Sequence, residues 1–283
     1  MEKPLIVVTG ANGFVGHEVL PRLVGAGYAV RAVSRRSEPG FGASVETVFS
    51  PDIFSEKPAW WADVCRGAQQ ILHLAWIATP GKYLASELNY DCLRGTLALA
   101  QGAISARVAH FTGVGTCLEY APSRTPIPVF HPLQPQSVYA ACKVAAFLSL
   151  TQLLAAGETG FAWCRLFHMF GAHENPQRLG GHLRQCLAEN RVAELSAGTD
   201  ILDFSDVSDI AADFLKVTQR RHRGALNLCS GRPQSVRAFA ENFASSQGKL
   251  HLLKFAAETA ASSQPKYLVG ERTVLDYPAG APS

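Results

Sequence analysis

Hydrophobic and polar positions along the chain follow two rhythms. Short β-branched or apolar runs stand at 5–9, 29–34, 45–49, 70–74, 108–112, 161–166 and 225–228, and most are separated by stretches with apolar residues three and four apart. Continuous apolar runs suit strands buried on both faces, and the three-to-four spacing suits helices. Their alternation implies a doubly wound parallel sheet with helices on both sides. The longest helical patterns, 87–106 and 137–156, present apolar faces for packing against each other within one chain or across a dimer. From about residue 167 the alternation loosens: Gly, Pro and His gather in 171–181, followed by a helix-like 181–190. That texture suits loops and helices standing over the C-terminal edge of the sheet. The stretch 262–283, rich in Pro, Gly, Ser and Ala, is expected to be partly disordered.

Charge and cysteine content narrow the function classes. Lys and Arg number 26 against 23 Asp and Glu, scattered except at Arg35–Arg36 and Arg220 to Arg223, so no nucleic-acid stripe is expected. The seven cysteines are odd in number and show neither a CxxC pair nor His/Cys ligand spacing. They read as reduced thiols, with no metal site and no disulfide frame. The first apolar run lacks a signal-peptide pattern, and no segment offers about 18 uninterrupted apolar residues, so a cytoplasmic protein with no membrane partner is expected.

The most informative stretch is Val8-Thr9-Gly10-Ala11-Asn12-Gly13-Phe14-Val15-Gly16. Three glycines at three-residue spacing follow a strand and open a helix, which is what a dinucleotide loop requires. Gly10 permits a tight turn, Gly13 lets the backbone approach a pyrophosphate, and Gly16 lets the helix pack on the strand, while the helix N-terminus offers free N–H groups. The second run ends in Ser34-Arg35-Arg36, without the carboxylate that would hold the ribose hydroxyls of NAD. A small hydroxyl and two arginines suit the 2′-phosphate of NADP, so NADP(H) is the expected preference, with NAD(H) possible. Further along, Tyr139 and Lys143 lie four residues apart at a helix start, on one face. A phenol ionising near pH 10 needs a neighbouring cation to exchange protons near neutrality, and Lys143 can supply one.

Taken together these motifs resemble the extended short-chain dehydrogenase/reductase family, the NAD-dependent epimerase/dehydratase group that contains nucleotide-sugar epimerases, dehydratases and ketoreductases. The resemblance spans about residues 5–245 and continues through Asp52-Ile53, His73-Leu74-Ala75, Asn89, Gly95-Thr96, His110 to Thr116, Arg165 to Gly171, Asp203-Phe204, Val207 to Ala211 and Asn227 to Gly231. It implies a Rossmann-type domain from 1–166 with 198–231, and a small, mostly helical substrate-binding domain from 167–197 with 232–283. It also implies a homodimer joined by a four-helix bundle of 87–106 and 137–156. Thr116 then takes the hydroxyl position that bonds the substrate oxygen, Tyr139 exchanges the proton, and Lys143 tunes Tyr139 and holds the ribose. Cofactor contacts are expected at Gly10, Asn12, Gly13, Phe14, Val15, Gly16, Ser34, Arg35, Arg36, Asp52, Ile53, Leu74, Ala75, Trp76, Asn89, Tyr139, Lys143, Phe167 and His168. Substrate contacts are expected at Trp76, Tyr83, Thr116, His168, Arg178 and His182.

Departures from the family pattern bear on the reaction. Family dehydratases carry Asp-Glu after the catalytic hydroxyl, whereas Cys117-Leu118 stand here. Epimerase-reductases of the GDP-fucose-synthase type share a histidine where His182 stands, but their cysteine lies two residues past the hydroxyl, and Cys117 lies one past. Simple hydride transfer remains: reduction of a keto group, with the 4-keto group of a nucleoside-diphosphate 6-deoxy sugar as leading substrate, or 4-epimerisation on a tightly held cofactor. A non-catalytic dinucleotide sensor is a third class, disfavoured by the intact Tyr139, Lys143 and Thr116. The arginine that commonly precedes the Asp-Phe pair is Leu202, and no second arginine is evident near Gln264-Pro265. Either Arg178, Arg184 or Arg237 replaces them, or the substrate is not a nucleotide sugar. Trp76 is either a pocket wall or a core aromatic, and His73 reads as a buried structural histidine.

Overall fold

The structure, a computed structural model, describes residues 3–37, 40–257 and 266–275. In chain order it begins β1 (Leu5–Thr9), α1 (Phe14–Gly25), β2 (Ala29–Ser34), β3 (Val45–Phe49), α2 (Pro58–Val64), β4 (Gln70–His73) and α3 (Leu88–Ser105). Then come β5 (His110–Thr116), α4 (Val138–Ala156), β6 (Gly160–Leu166), β7 (His168–Phe170), α5 (Leu179–Ala188), β8 (Ala193–Leu195) and β9 (Ile201–Asp206). The chain closes with α6 (Val207–Arg220), β10 (Gly224–Leu228), β11 (Pro233–Ser235), α7 (Val236–Ser245), β12 (Leu253–Phe255) and β13 (Tyr267–Leu268).

Seven strands make a parallel sheet in the order β10-β6-β5-β4-β1-β2-β3. They are the seven apolar runs of the sequence, and the sheet is a Rossmann-type doubly wound one. One face is covered by α1 and α6 through Val19, Leu23, Phe214 and Val217, the other by α2, α3 and α4 through Trp61, Leu99, Leu150 and Leu154. Chain order reverses between β1 and β4, so a crevice opens at their C-terminal ends, where ligands of such sheets bind.

The smaller part combines α5 and α7 with short strands: β9 pairs with β7, β11 and β13, and β8 with β12. The strand at 201–206, grouped with the large sheet on sequence grounds, therefore belongs to the small one. Residues 266–275 of the tail are folded back onto the body of the protein. Tyr267–Leu268 continues the small sheet, Arg272 Nη2 donates to both oxygens of Asp213 at 2.9 and 2.8 Å, and Leu275 is buried. The rest of 262–283 lies outside the described residues. Helix α4 is long and apolar enough to cross a membrane by composition alone. Here its Ala146, Leu150 and Leu154 are core residues under the sheet.

Candidate active site

The crevice at the switch point opens into a cavity of about 510 Å³ that runs from the glycine loop, past the ends of β4 and β5, to the small part. At its head each glycine has the property its spacing implied. Gly10 has φ +73°, and a Cβ there would stand 2.8 Å from the backbone nitrogen of Ala75. A Cβ on Gly16 would stand 2.3 Å from the Gly10 carbonyl oxygen, so α1 packs directly on its own loop. At Gly13 a Cβ would meet only that oxygen, at 3.1 Å, and this residue lines the cavity. Helix α1 has no side-chain cap, and Phe14, Val15 and Gly16 of its first turn also line the cavity. Uncapped N–H groups facing open space fit the pyrophosphate of a dinucleotide.

At the end of β2, buried Ser34 donates to Asn12 Oδ1 at 3.2 Å and accepts the Arg36 backbone N–H at 3.0 Å. Arg35 and Arg36 are exposed and available to a solvent-side phosphate. Asp52 closes a turn onto the Phe54 N–H and Ile53 is a core residue; neither lines the cavity. His73 is held between the hydroxyls of Thr9 and Thr96 at 2.7 and 2.8 Å, and burial lowers its pKa to about 3. Ala75 reaches Thr9 through its backbone N–H, while Leu74 and Trp76 line the cavity. Asn89 does not line it. Fully buried, it accepts the Trp76 indole N–H at 2.8 Å and donates to the carbonyls of Tyr83 and Ser86.

The chemical groups meet in the middle of the cavity. β5 runs to Thr116, beyond the 108–112 read from the sequence. Ser137 caps α4 by accepting the Ala140 N–H, which sets Tyr139 on the first turn and Lys143 one turn later. Thr116 and Tyr139 both line the cavity, and Tyr83 packs edge-on against Tyr139 at 4.8 Å between ring centres. Burial, seconded by Tyr83, pushes the phenol above its ordinary pKa, with the Thr116 hydroxyl opposing. Lys143 donates to the Val114 carbonyl at 2.7 Å, with its ammonium 3.8 Å from the Trp76 ring centre and 5.9 Å from that of Tyr139. Its hydrogen-bond partner is thus the Val114 carbonyl, while the ammonium also faces the Tyr139 ring. Burial brings the Lys143 pKa down to about 7, against the opposing pull of Glu119 and Cys92.

At the far end the cavity is walled by Phe167, His168, Phe170, Phe204 and Phe239 and edged by Tyr83 and Arg178. His168 has a buried Nδ1 without a partner, and burial, then the charges of Lys266 and Arg178, lowers its pKa to about 4. His182 does not belong here: it sits on α5 with its ring 3.7 Å from Cys186 Sγ, away from the cavity lining. Of the three arginines considered as replacements only Arg178 lines the cavity. Arg184 holds the Gly171 carbonyl, and Arg237 stacks on Phe255 at 3.9 Å. Sequence reasoning missed Glu119, buried under Thr116; Glu174, a buried carboxyl on the cavity wall; and Lys266 beside His168.

A family model, NAD dependent epimerase/dehydratase family, matches residues 6–229. The chain belongs to that family. Among its relatives, a dTDP-6-deoxy-L-talose 4-dehydrogenase (NAD(+)) of Aggregatibacter actinomycetemcomitans is 28% identical over 84% of this chain and 88% of its own length. A UDP-glucose 4-epimerase of Bacillus subtilis is 23% identical over 89% of this chain and 84% of its own length. Among solved structures, a UDP-N-acetylglucosamine 4-epimerase of Methanobrevibacter ruminantium M1 shares the fold at TM-score 0.84 and 16% identity, covering 99% of this chain and 94% of its own. This family member is an NAD(P)-dependent enzyme of the extended short-chain dehydrogenase/reductase group, and a nicotinamide dinucleotide is its cofactor.

Proposed function

We propose that the protein reduces the keto group of a nucleoside-diphosphate 4-keto-6-deoxy sugar with NADP(H), as a cytoplasmic homodimer. The observation that carries this reading is the meeting of Thr116, Tyr139 and Lys143 in one cavity with an uncapped glycine-loop helix at its head. When bound, the nicotinamide supplies the hydride to the carbonyl carbon. Thr116 orients the carbonyl oxygen, Tyr139 delivers the proton to it as the alcohol forms, and Lys143 holds the ribose. Trp76 walls the nicotinamide side, and Asn89 contributes by fixing Trp76 and the Tyr83 segment. Arg178 on the cavity wall, and Lys266, whose charge also reaches His168, supply positive charge for a diphosphate in place of the arginines that Leu202 and the tail lack. The talose-dehydrogenase relative, whose name sets the chemistry at C4 of a 6-deoxy sugar nucleotide, supports the substrate class.

Ser34, Arg35 and Arg36 support the preference for NADP(H), since these three positions carry a hydroxyl and two cations and no carboxylate that would repel a 2′-phosphate. The neighbouring helices α3 and α4 leave Leu88, Tyr90 and Leu148 exposed, which supports their use in a four-helix dimer interface. The large sheet is assigned to the dinucleotide and the small part to the sugar nucleotide. A 4-epimerase is the second reading, favoured by the epimerase relatives.

The deciding experiment incubates the protein with NADPH or NADH and a panel of nucleoside-diphosphate 4-keto-6-deoxy sugars and, in parallel without added reductant, with nucleoside-diphosphate sugars that carry a C4 hydroxyl. Stoichiometric NADPH oxidation is expected. Interconversion of 4-epimers without net oxidation would establish the epimerase instead, and faster turnover with NADH would overturn the cofactor preference.

A further inference from the structure

Glu119 has no part in the roles given so far, yet three donors converge on its carboxylate beneath the strand end that carries Thr116. It ends the 3-10 turn Cys117–Glu119 that follows β5, and it is fully buried. Its Oε1 accepts the Thr116 backbone N–H at 2.8 Å, and the Trp163 indole N–H is shared between its two oxygens at 3.1 and 3.2 Å. Arg165, itself 2% exposed, donates from Nε to Oε2 at 2.6 Å. The other end of that guanidinium donates to the Tyr120 hydroxyl and the Val129 carbonyl, and Tyr120 donates onward to Asn227 Oδ1 at 2.6 Å. The strand makes room for this knot. A Cβ on Gly115 would stand 2.3 Å from Trp163 Nε1 and 2.5 Å from Glu119 Oε1, and one on Gly113 would stand 2.7 Å from the Trp163 ring.

Stability is a poor reason for burying such a pair, because desolvating two charges roughly cancels their attraction and an apolar replacement of similar volume is often neutral or better. Location gives a better one. The strand end that the carboxylate grips carries the Val114 carbonyl, which receives Lys143, and the Thr116 hydroxyl, which meets Tyr139.

We propose that Glu119 is a positioning residue of the active site: it clamps the end of β5 so that Val114 and Thr116 meet Lys143 and Tyr139, and it supplies the buried negative charge that faces Lys143. The inference rests on the reading of Tyr139, Lys143 and Thr116 as the reacting groups. Lys143 touches the Trp76 ring and the Val114 carbonyl and faces the rings of Tyr139 and Trp163, the latter held by Glu119; His73, Cys92 and Glu119 also act on it electrostatically, and of these Glu119 does most to keep the ammonium charged. Around Tyr139 stand Tyr83, Thr116, Cys117 and Glu119, and the carboxylate there favours the protonated phenol that a carbonyl reduction uses. Glu119 itself faces Arg165, Tyr120, Trp163 and the Thr116 N–H.

Glu119→Gln alone would strand a buried guanidinium, so the test removes both charges in Glu119→Gln/Arg165→Met. The variant is assayed with NADPH and a dTDP-4-keto-6-deoxyhexose beside Tyr139→Phe, with cofactor affinity measured by titration. The expected result is a folded variant that binds NADPH as the parent does, with kcat lower by about 10- to 100-fold. The alkaline limb of its kcat–pH profile should move about one unit to lower pH, because Lys143 loses its facing charge. A role in folding alone would leave that limb where it is, so parental kcat or an unmoved limb in the folded variant overturns the proposal. Should the double variant not fold, Glu119→Asp keeps the charge and shortens the arm: lower kcat with an unmoved limb supports the clamp, and parental kcat overturns it. Full turnover in Tyr139→Phe would instead overturn the reading beneath it.

Discussion

The two ends of the cavity are made in different ways. At the glycine-loop end the groups presented to the cavity are largely main-chain ones, delivered within a few residues by Gly10, Gly13 and Gly16 and aimed by α1. At the far end they are side chains, and Tyr83, His168, Arg178 and Phe239 arrive from four separate segments. A site made of backbone depends on the absence of side chains at fixed spacings, so a local change breaks it and a local pattern announces it. A site made of side chains depends on the whole tertiary arrangement, and its members carry no common spacing.

The contrast is tested most strongly at the junction of the two ends. Tyr139→Phe should lower turnover by about 10²–10⁴-fold, the usual contribution of a positioned acid. NADPH affinity should stay near the parental value, since the phenol faces the substrate and the glycine loop holds the pyrophosphate. Titration calorimetry beside steady-state kinetics measures both, and a matching loss of cofactor affinity would erase the separation between the ends.

Within the dinucleotide end, two alanine substitutions sharpen the picture. Gly16→Ala puts a methyl 2.3 Å from the Gly10 carbonyl oxygen, against backbone that cannot yield cheaply, and should cost about 1–3 kcal/mol of stability. Gly13→Ala meets only one atom, at 3.1 Å, so its Tm should stay near the parental value while dinucleotide affinity falls. Thermal melts with and without NADPH separate the two. Equal losses of Tm would show that Gly13 is structural as well.

The smallest effect concerns acid. Burial holds His73 at about pH 3 and His110 and His168 at about pH 4, all below the ordinary 6.5. Between those values the unfolded chain binds protons that the folded one does not. The stability contribution is therefore full above about pH 6.5 and is lost as pH falls towards 4. Tm should decline across that window in the cofactor-free protein, and a flat profile would mean that these rings take up protons without unfolding.

Legibility in the sequence follows the same division. The large sheet could be read because β-branched and apolar residues dominate its strands, inner ones such as β1 and β4 being buried on both faces and edge strand β3 half exposed, and Thr116, Tyr139 and Lys143 were legible from family motifs. The strands β7 to β9 and β11 to β13 are short and mixed in polarity, so periodicity could not separate them from loop. His182 was misplaced because its position relative to the cavity is set by the rotation of α5, which sequence spacing does not fix. Glu119 was overlooked because a glutamate beside Leu118 and Tyr120 reads as solvent-facing. Two local signs pointed inward: Thr116-x-x-Glu119 is a capping box, and Arg165 lies inside an apolar strand where a charge requires a buried partner.

The return of residues 266–275 has a consequence for how the enzyme is made. Strand β13 completes the edge of β9, the Thr273 N–H bonds the Asn227 carbonyl and its hydroxyl accepts the Asn227 N–H, and Arg272 locks onto Asp213. Strands β1 to β6 leave the ribosome early and can pair among themselves, but β10 waits for residue 228 and the small sheet for residue 268. During synthesis the nascent chain therefore passes through a stage with a largely formed dinucleotide crevice and an open sheet edge, the kind of surface on which chaperones act. The wall bearing His168 is finished only when β13 is released, so the far end of the cavity takes shape after the glycine-loop end.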